Sequence, residues 1–376
     1  MRLFLLSTSM GMGGADQQIL ILAKAMRARG HDVRIMALAP LGPMGEEAQR
    51  AGIPTESLEL RRTPAHAGRI LRLCSSIRRW QPDVLHSHMV HANLLASAVR
   101  SFTGVPALVA TIHSINDGGR VWMAAYRASS AMVDRFTIIS RLAAERYISI
   151  GAVPRRLVQV VPNAVDVEWF RRQPEAGAAI RRELGLGDAF VWLAVGRFEE
   201  AKDYPTMIAG FARLSESRSD SHLLLVGKGS LRENVEQLVR AHHLEGRVHF
   251  LGVRRDVPQI MSAADGYVLS SAWEGMPVVL LEAAAVELPI VSTRVGGVAE
   301  VVEDGGSGLL VPPGSPEALA DAMKRIEQMP EQERRAMGAH GRTLVERQYA
   351  TNHIMDVWER LYSELARSGG GNGGQR

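Results

Sequence analysis

The sequence predicts an α/β chain of two tandem lobes, each a parallel sheet with helices on both faces. Three observations point there. Short apolar runs alternate with longer amphipathic stretches along nearly the whole chain, the grammar of repeated βα units. The alternation breaks once, around Pro162-Asn163-Ala164-Val165-Asp166, where a domain boundary is expected. A length of 376 residues is long for one domain and comfortable for two.

In the first lobe, residues 1–166, strands are expected at 2–7, 33–38, 83–86, 107–112, 135–139 and 157–161. Helical stretches lie between them at 15–29, 67–80 and 91–102. Residues 171–177 read as a polar connection into the second lobe, 167–350. There the strands are expected at 191–195, 222–226, 248–251, 266–269, 290–293 and 308–311. Helices are expected at 204–215, 231–242, 277–287 and 316–328. A last long helix, about 351–366, precedes a glycine-rich tail, 367–376, whose composition predicts disorder.

Composition is that of an ordinary globular protein, 46% hydrophobic and 22% charged, with material for two cores. Cys74 stands alone, so no disulfide framework is expected and a reducing, cytoplasmic compartment is favoured. The apolar start, residues 1–6, meets Ser7 and then Gly11-Met12-Gly13-Gly14, too soon for a signal peptide. No run of about eighteen apolar residues predicts a membrane span. The net charge of +4 hides an asymmetry: residues 1–170 hold 20 Lys and Arg against 12 Asp and Glu, the remainder 24 against 28. A basic half calls for an anionic partner, whether membrane surface, lipid phosphate or nucleic acid.

The stretch richest in chemistry is Ser270-Ser271-Ala272-Trp273-Glu274-Gly275-Met276-Pro277-Val278-Val279-Leu280-Leu281-Glu282-Ala283. It reads as a strand end turning into a helix, with Gly275 permissive and Pro277 at the first helical position. The N–H groups of Val278, Val279 and Leu280 would then be open donors at the positive end of a helix dipole, a place for phosphate. Glu282 lies about 7.5 Å along that helix and leans back toward its start. A diphosphate between two polyhydroxylated rings, a ribose and a sugar, suits both carboxylates.

Glu274 and Glu282, seven residues apart, match the E-x7-E motif of retaining glycosyltransferases of family GT4, the group 1 type. With Pro289-Ile290-Val291 and Gly296-Gly297-Val298-Ala299-Glu300 downstream, the chain resembles that family over nearly its whole length. The resemblance implies the GT-B fold, two facing Rossmann-like domains with a cleft between them, and a final helix that packs back on the first. It implies a hexosyltransferase-type enzyme with a nucleotide-diphosphate donor, most often UDP, and no metal or other cofactor.

Further motifs take their roles from that resemblance. Arg197 and Lys202, in Gly196-Arg197-Phe198-Glu199-Glu200-Ala201-Lys202-Asp203, follow a second-lobe strand and resemble the family's diphosphate clamp. Arginine forks onto two oxygens and lysine acts as a point charge. Gly13 and Gly14 resemble the family's glycine loop, although its usual Gly-Gly-x-Glu ends here in Asp16; the same Asp16 spoils a dinucleotide fingerprint. His113 matches the histidine that contacts the donor sugar, and Val253 and Arg254 lie in a loop that would hold the base, mostly through backbone. Glu274 would hold sugar hydroxyls and Glu282 the ribose, with Gly275, Met276, Pro277, Val278 and Val279 around the phosphates. His86, Ser87 and His88 with His91 have a spacing that invites metal, but no acidic or cysteine ligand is near.

The string from His86 to Asn93 resembles family members of bacterial surface-polysaccharide pathways. It implies a glycan or lipid-linked acceptor and no role for nucleic acid, while the basic first half leads us to expect an anionic membrane face on the cytoplasmic side. Alternatives within reach of the same residues are a nucleotide-sugar epimerase and a non-catalytic nucleotide-sugar-binding protein. A glycoside hydrolase would leave Arg197 and Lys202 without purpose, since it has no diphosphate to hold.

Overall fold

A computed structural model describes residues 1–60, 66–116, 118–217 and 220–370. The chain divides into two compact units, Met1–Ala164 with Thr351–Arg376, and Val165–Ala350. The first holds a seven-stranded parallel sheet of β1 (Arg2–Ser7), β2 (Asp32–Ala37), β3 (Thr55–Ser57), β4 (Val84–His88), β5 (Ala107–Ile112), β6 (Arg135–Ile138) and β7 (Val158–Val160). Their order is β3-β2-β1-β4-β5-β6-β7. The second holds six parallel strands, β8 (Phe190–Val195), β9 (Ser221–Val226), β10 (Val248–Gly252), β11 (Gly266–Leu269), β12 (Ile290–Thr293) and β13 (Gly308–Val311). Their order is β10-β9-β8-β11-β12-β13.

The inner strands of each sheet, such as β1, β5, β11 and β12, are buried on both faces, so they read as near-continuous apolar runs rather than as an alternation. The two-residue period still sorts side chains. On β1, Phe4 and Leu6 enter one core with Leu85, Leu108 and Phe136, while Leu3 and Leu5 enter the other with Val84 and Val109. That second core is completed by the helix Thr351–Gly370, whose Ile354, Met355, Trp358, Leu361, Tyr362 and Leu365 recur at helical spacing. Burying each such side chain contributes about 1.5–3 kcal/mol. Arg29 and His31 anchor the helix at its edge, Arg29 on Asp356 (2.7 Å) and Glu359 (2.5 Å), His31 on Glu359 (2.7 Å).

Among the differences from the sequence expectation, three concern the connection, the helix after Glu274 and the tail. Residues 171–177 are only partly a connection, because a helix runs from Pro174 to Glu183. Pro174 starts it, and Gly177 lets it lie against the backbone of Ser262 and Ala263, where a side chain would overlap. The helix expected at 277–287 is Val278–Ala285, with Pro277 as its extended N-cap. The final helix continues through Gly370, four residues into the stretch read as tail; 371–376 lie outside the described residues. No helix among the described residues is long and apolar enough to cross a membrane.

Candidate active site

In each sheet one pair of neighbouring strands marks where the order reverses, β8 beside β11 in the second unit and β1 beside β4 in the first. Crevices for ligands form at the carboxyl ends of such strands.

In the second unit, β8 leads into Gly196–Asp203 and β11 into Ser270–Pro277. The two loops meet in an ion pair, Lys202 Nζ to Glu274 Oε1 at 2.6 Å, with the side chains 18% and 14% exposed. The Ser271 hydroxyl donates to the same oxygen at 2.7 Å. Among the described residues nothing donates to Glu274 Oε2. The loops are tied by backbone as well: Ala272 N donates to Ala201 O (2.9 Å), and the Ser270 hydroxyl to the carbonyls of Lys202 (2.7 Å) and Asp203 (2.9 Å). Thr293, at the end of β12, donates to Ser271 O at 2.6 Å.

Glycines bring the remaining loops close. Gly296, at φ +51°, packs where a side chain would overlap the Glu274 carbonyl, and Gly227, at φ +143°, where it would overlap that of Gly196. Gly227 N donates to Gly252 O at 2.8 Å, and Gly297 N to Gly275 O at 2.8 Å. Two phenols fix the end of β8. The buried Tyr267 hydroxyl accepts from Val195 N and donates to Val195 O, both at 3.2 Å, and Tyr204 donates to Gly196 O at 3.3 Å. Burial holds the Tyr267 phenol well above its ordinary pKa, and the charges of Glu282 and Glu274 push the same way.

Arg197 is exposed, its side chain unpaired among the described residues, and free to turn to a ligand. Beside it, Glu199 is held below the usual carboxylate range by hydrogen bonds from Ser230, with Arg197 adding. Glu282 is the fifth residue of the helix Val278–Ala285 and is buried. Leu280 N donates to Pro277 O at 3.1 Å, so the amides expected to be open reduce from three to two, Val278 and Val279, by helix geometry. Met276 and Pro277 are buried, so only their backbone can meet a ligand. Val253 is exposed after β10, while the Arg254 side chain is occupied by Asp256 (2.6 and 2.8 Å) and Glu183 (3.5 Å). Asp256 chiefly raises the Arg254 pKa.

In the first unit, Gly13 caps the helix Gly14–Ala28, and its N–H donates to Asp16 Oδ2 at 2.9 Å. Ser9 donates to Asp16 Oδ1 at 2.8 Å, so the departure from glutamate is a short carboxylate that closes the glycine turn. His113 follows β5 and meets His88, Nε2 to Nδ1, at 3.1 Å. His86 packs against His88 with ring centroids 3.9 Å apart and planes tilted by 40°, and bonds Tyr362 (2.7 Å) and Thr111 (2.6 Å). Burial drives all three pKa values down, that of His113 to about 4. His91 is exposed and packs edge-on against Trp122, away from that group. Among the described residues no group of three His, Cys, Asp or Glu is placed to hold a metal ion.

Sequence reasoning missed the supports: Ser271 and Thr293 behind Glu274, Tyr204 and Tyr267 behind β8, and His88 behind His113. The available signal was hydroxyl and histidine residues ending strands beside the switch points. The basic stretch of the first unit divides. Arg61 and Arg62 lie outside the described residues; Arg72, Arg78 and Arg79 are exposed with Leu71 on the helix His66–Trp80; Arg69 donates to the carbonyls of Leu58 and Glu59.

The family model for glycosyl transferases group 1 matches residues 178–344, and that for glycosyltransferase family 4 matches residues 12–169. The chain is 30% identical to the phosphatidyl-myo-inositol mannosyltransferase of Mycobacterium leprae, covering 95% of this chain and 94% of that protein. It is 31% identical to the N-acetyl-alpha-D-glucosaminyl L-malate synthase of Bacillus anthracis over 57% of this chain, spanning about half, 55%, of that relative. Its fold is similar to that of Anabaena Alr3699/HepE, solved in complex with UDP-glucose, with a TM-score of 0.88 and 21% identity over 97% of this chain and 100% of that one. With both halves matched and the fold shared end to end, the chain belongs to the group 1, family 4 glycosyltransferases, enzymes of the GT-B fold.

Proposed function

We propose that the protein is a retaining, metal-independent transferase that moves a sugar from a nucleotide-diphosphate donor, UDP-linked, to a lipid-linked or glycan acceptor of the cell surface. The observation that carries the donor reading is the Lys202–Glu274 pair at the β8/β11 switch point, beside a helix N-terminus and an unpaired Arg197. A diphosphate fits the two cations and the amides of Val278 and Val279. Glu274 Oε2 takes sugar hydroxyls, Glu282 the ribose, and the backbone about Val253 and Arg254 the base. By the same resemblance, the glycine turn at Gly13 and Gly14 and the ring of His113 are the first unit's candidates for donor contact. As the leaving diphosphate gathers charge, Arg197 and Lys202 meet it, which is why no metal is needed. Departure and attack on one face of the sugar give retention. The UDP-glucose bound by Anabaena Alr3699/HepE supports the carrier, and the lipid in the name of the Mycobacterium leprae relative supports the acceptor class.

The test is release of nucleoside diphosphate from UDP-, GDP-, ADP- and TDP-sugars, with and without lipid-linked acceptors, and the anomeric configuration of the product. Silence across the panel would refute the donor reading, an inverted product the retention, and loss of turnover in EDTA the metal independence. Arg72, Arg78 and Arg79 around Leu71 support attachment at the cytoplasmic face of an anionic membrane, worth about 1 kcal/mol per basic residue. Co-sedimentation with phosphatidylglycerol vesicles should rise with lipid charge and fall with salt; indifference to both would refute it.

A further inference from the structure

Among the described residues of the first unit, two buried ring nitrogens have no partner. His88, 2% exposed on β4, meets His113 Nε2 through Nδ1, which leaves its own Nε2 covered and unbonded. At the far end of the same bond, His113 Nδ1 is also covered and unbonded. Both rings border one small cavity, together with Thr111 and Trp358. A buried polar atom without a partner is costly, and packing alone would have replaced it with carbon. His86, one turn of the pleat away, shows the ordinary solution, with both nitrogens bonded.

Burial keeps both rings neutral near pH 7. Two neutral imidazoles joined by one hydrogen bond have two arrangements. If His88 Nδ1 carries the proton, His113 Nε2 accepts it and His113 Nδ1 is an N–H donor. If His113 Nε2 carries it, His113 Nδ1 is a lone-pair acceptor and His88 Nε2 takes the N–H. One proton position therefore sets the character of both open atoms. A histidine held by nothing would rotate and exchange tautomers freely; the His113 ring is tied at Nε2, so its tautomer changes only together with that of His88.

We propose that His88 is a positioning residue for glycosyl transfer: its hydrogen bond to His113 Nε2 fixes the His113 ring and selects the tautomer that His113 brings to the transferred sugar. The proposal rests on the reading of His113 as the histidine at that sugar, and goes beyond it by assigning His88.

Three variants separate this role from packing. His88→Asn keeps an amide where Nδ1 stood, His88→Gln places one where Nε2 stood, and His88→Leu has neither. Turnover is read as nucleoside diphosphate release from the panel of UDP-, GDP-, ADP- and TDP-sugars, and the tautomer as the nitrogen-15 shifts of His113 without ligand. His88→Asn should stay near wild type. His88→Gln and His88→Leu should lose about tenfold in kcat, the worth of one neutral hydrogen bond, with little change in donor KM. Wild type and His88→Asn should show one His113 tautomer, the other two a mixture. A packing role predicts the reverse order, because glutamine fills the space better than asparagine. Equal or better turnover for His88→Gln than for His88→Asn, or one unchanged tautomer in His88→Leu, overturns the proposal. Should His88→Leu fail to fold, the asparagine and glutamine variants still decide. Wild-type turnover in His113→Ala is a separate failure: it removes the sugar-contact reading and the proposal with it.

Discussion

At the ends of β8 and β11 the second unit gathers Lys202, Glu274, Arg197 and the start of a helix, groups that are charged or carry partial charge. At the ends of β4 and β5 the first unit gathers His86, His88 and His113, all held neutral by burial. The two sheets reverse their strand order in the same way, so topology alone cannot account for the difference. What differs is how the polar groups are satisfied. Lys202 and Glu274 neutralise each other while Arg197 and one carboxylate oxygen stay open, so a ligand of either sign finds a partner. Of the histidines, His86 is satisfied by hydroxyls, while His88 and His113 bond one another and each keeps one bare ring nitrogen, with no counter-charge. The second unit leaves a cation and a carboxylate oxygen open, whereas the first keeps charge out of its histidine group.

The largest effect should come from removing the cations. Arg197→Ala and Lys202→Ala should each lower turnover by about 10²- to 10³-fold, the scale of a preorganised contact to a developing anion. Arg155→Ala is the control: its side chain is exposed and pairs with Glu145 at 2.8 Å, and the change should leave kinetics intact. Steady-state rates with the true donor check this. Near-wild-type kinetics in both Arg197→Ala and Lys202→Ala would dissolve the contrast between the units, because the charged end would then be a surface feature.

Much of this contrast was legible in the sequence. Strands such as 2–7, 107–112, 266–269, 290–293 and 308–311 have the expected bounds because continuous apolar runs between turn residues leave little choice. β3, three residues long, carries too few side chains to show a period, and the helix from Pro174 was hidden by its polar first turn. The site residues of the second unit stood out because they belong to contiguous strings. That Lys202 and Glu274 touch is not in either string; it depends on β8 and β11 being neighbours, a long-range fact. The same holds for His88 and His113, 25 residues apart and joined by the pairing of β4 with β5.

A smaller effect separates the two glutamates within the charged end. Glu282→Gln should weaken donor and free nucleotide diphosphate alike, because a ribose contact is shared by both. Glu274→Gln should leave affinity for the free nucleotide nearly intact and lower turnover by about tenfold, since an amide holds hydroxyls less firmly than a carboxylate. It also leaves Lys202 without its counter-ion, so some gain in affinity for free diphosphate is expected. Calorimetry with the free nucleotide beside steady-state kinetics reads both. Loss of nucleotide affinity in Glu274→Gln but not in Glu282→Gln would mean that the donor lies the other way round.

The smallest effect per residue, and the one that sharpens the neutral end, is acid sensitivity of the first unit. His86, His88 and His113 have native pKa values pushed below the ordinary 6.5 by burial, with the charge of the other rings contributing for His86 and His88. In the native state they stay neutral while the unfolded chain takes up protons. Stability is therefore full above pH 6.5 and falls as the pH drops below it; for His113 the loss ends near pH 4, its native value. Each histidine adds to the loss as the unfolded chain takes up its proton, by on the order of 1 kcal/mol per pH unit below the ordinary value. Urea denaturation at pH 7, 6 and 5, followed by a probe in the first unit, checks the slope. Replacing His86 with Phe should reduce it by one histidine's share, even if stability at pH 7 also falls because Tyr362 and Thr111 lose a partner. A midpoint that does not move between pH 7 and pH 5 would show that the rings accept protons in the native state, and the first unit would no longer stand as the uncharged counterpart of the second.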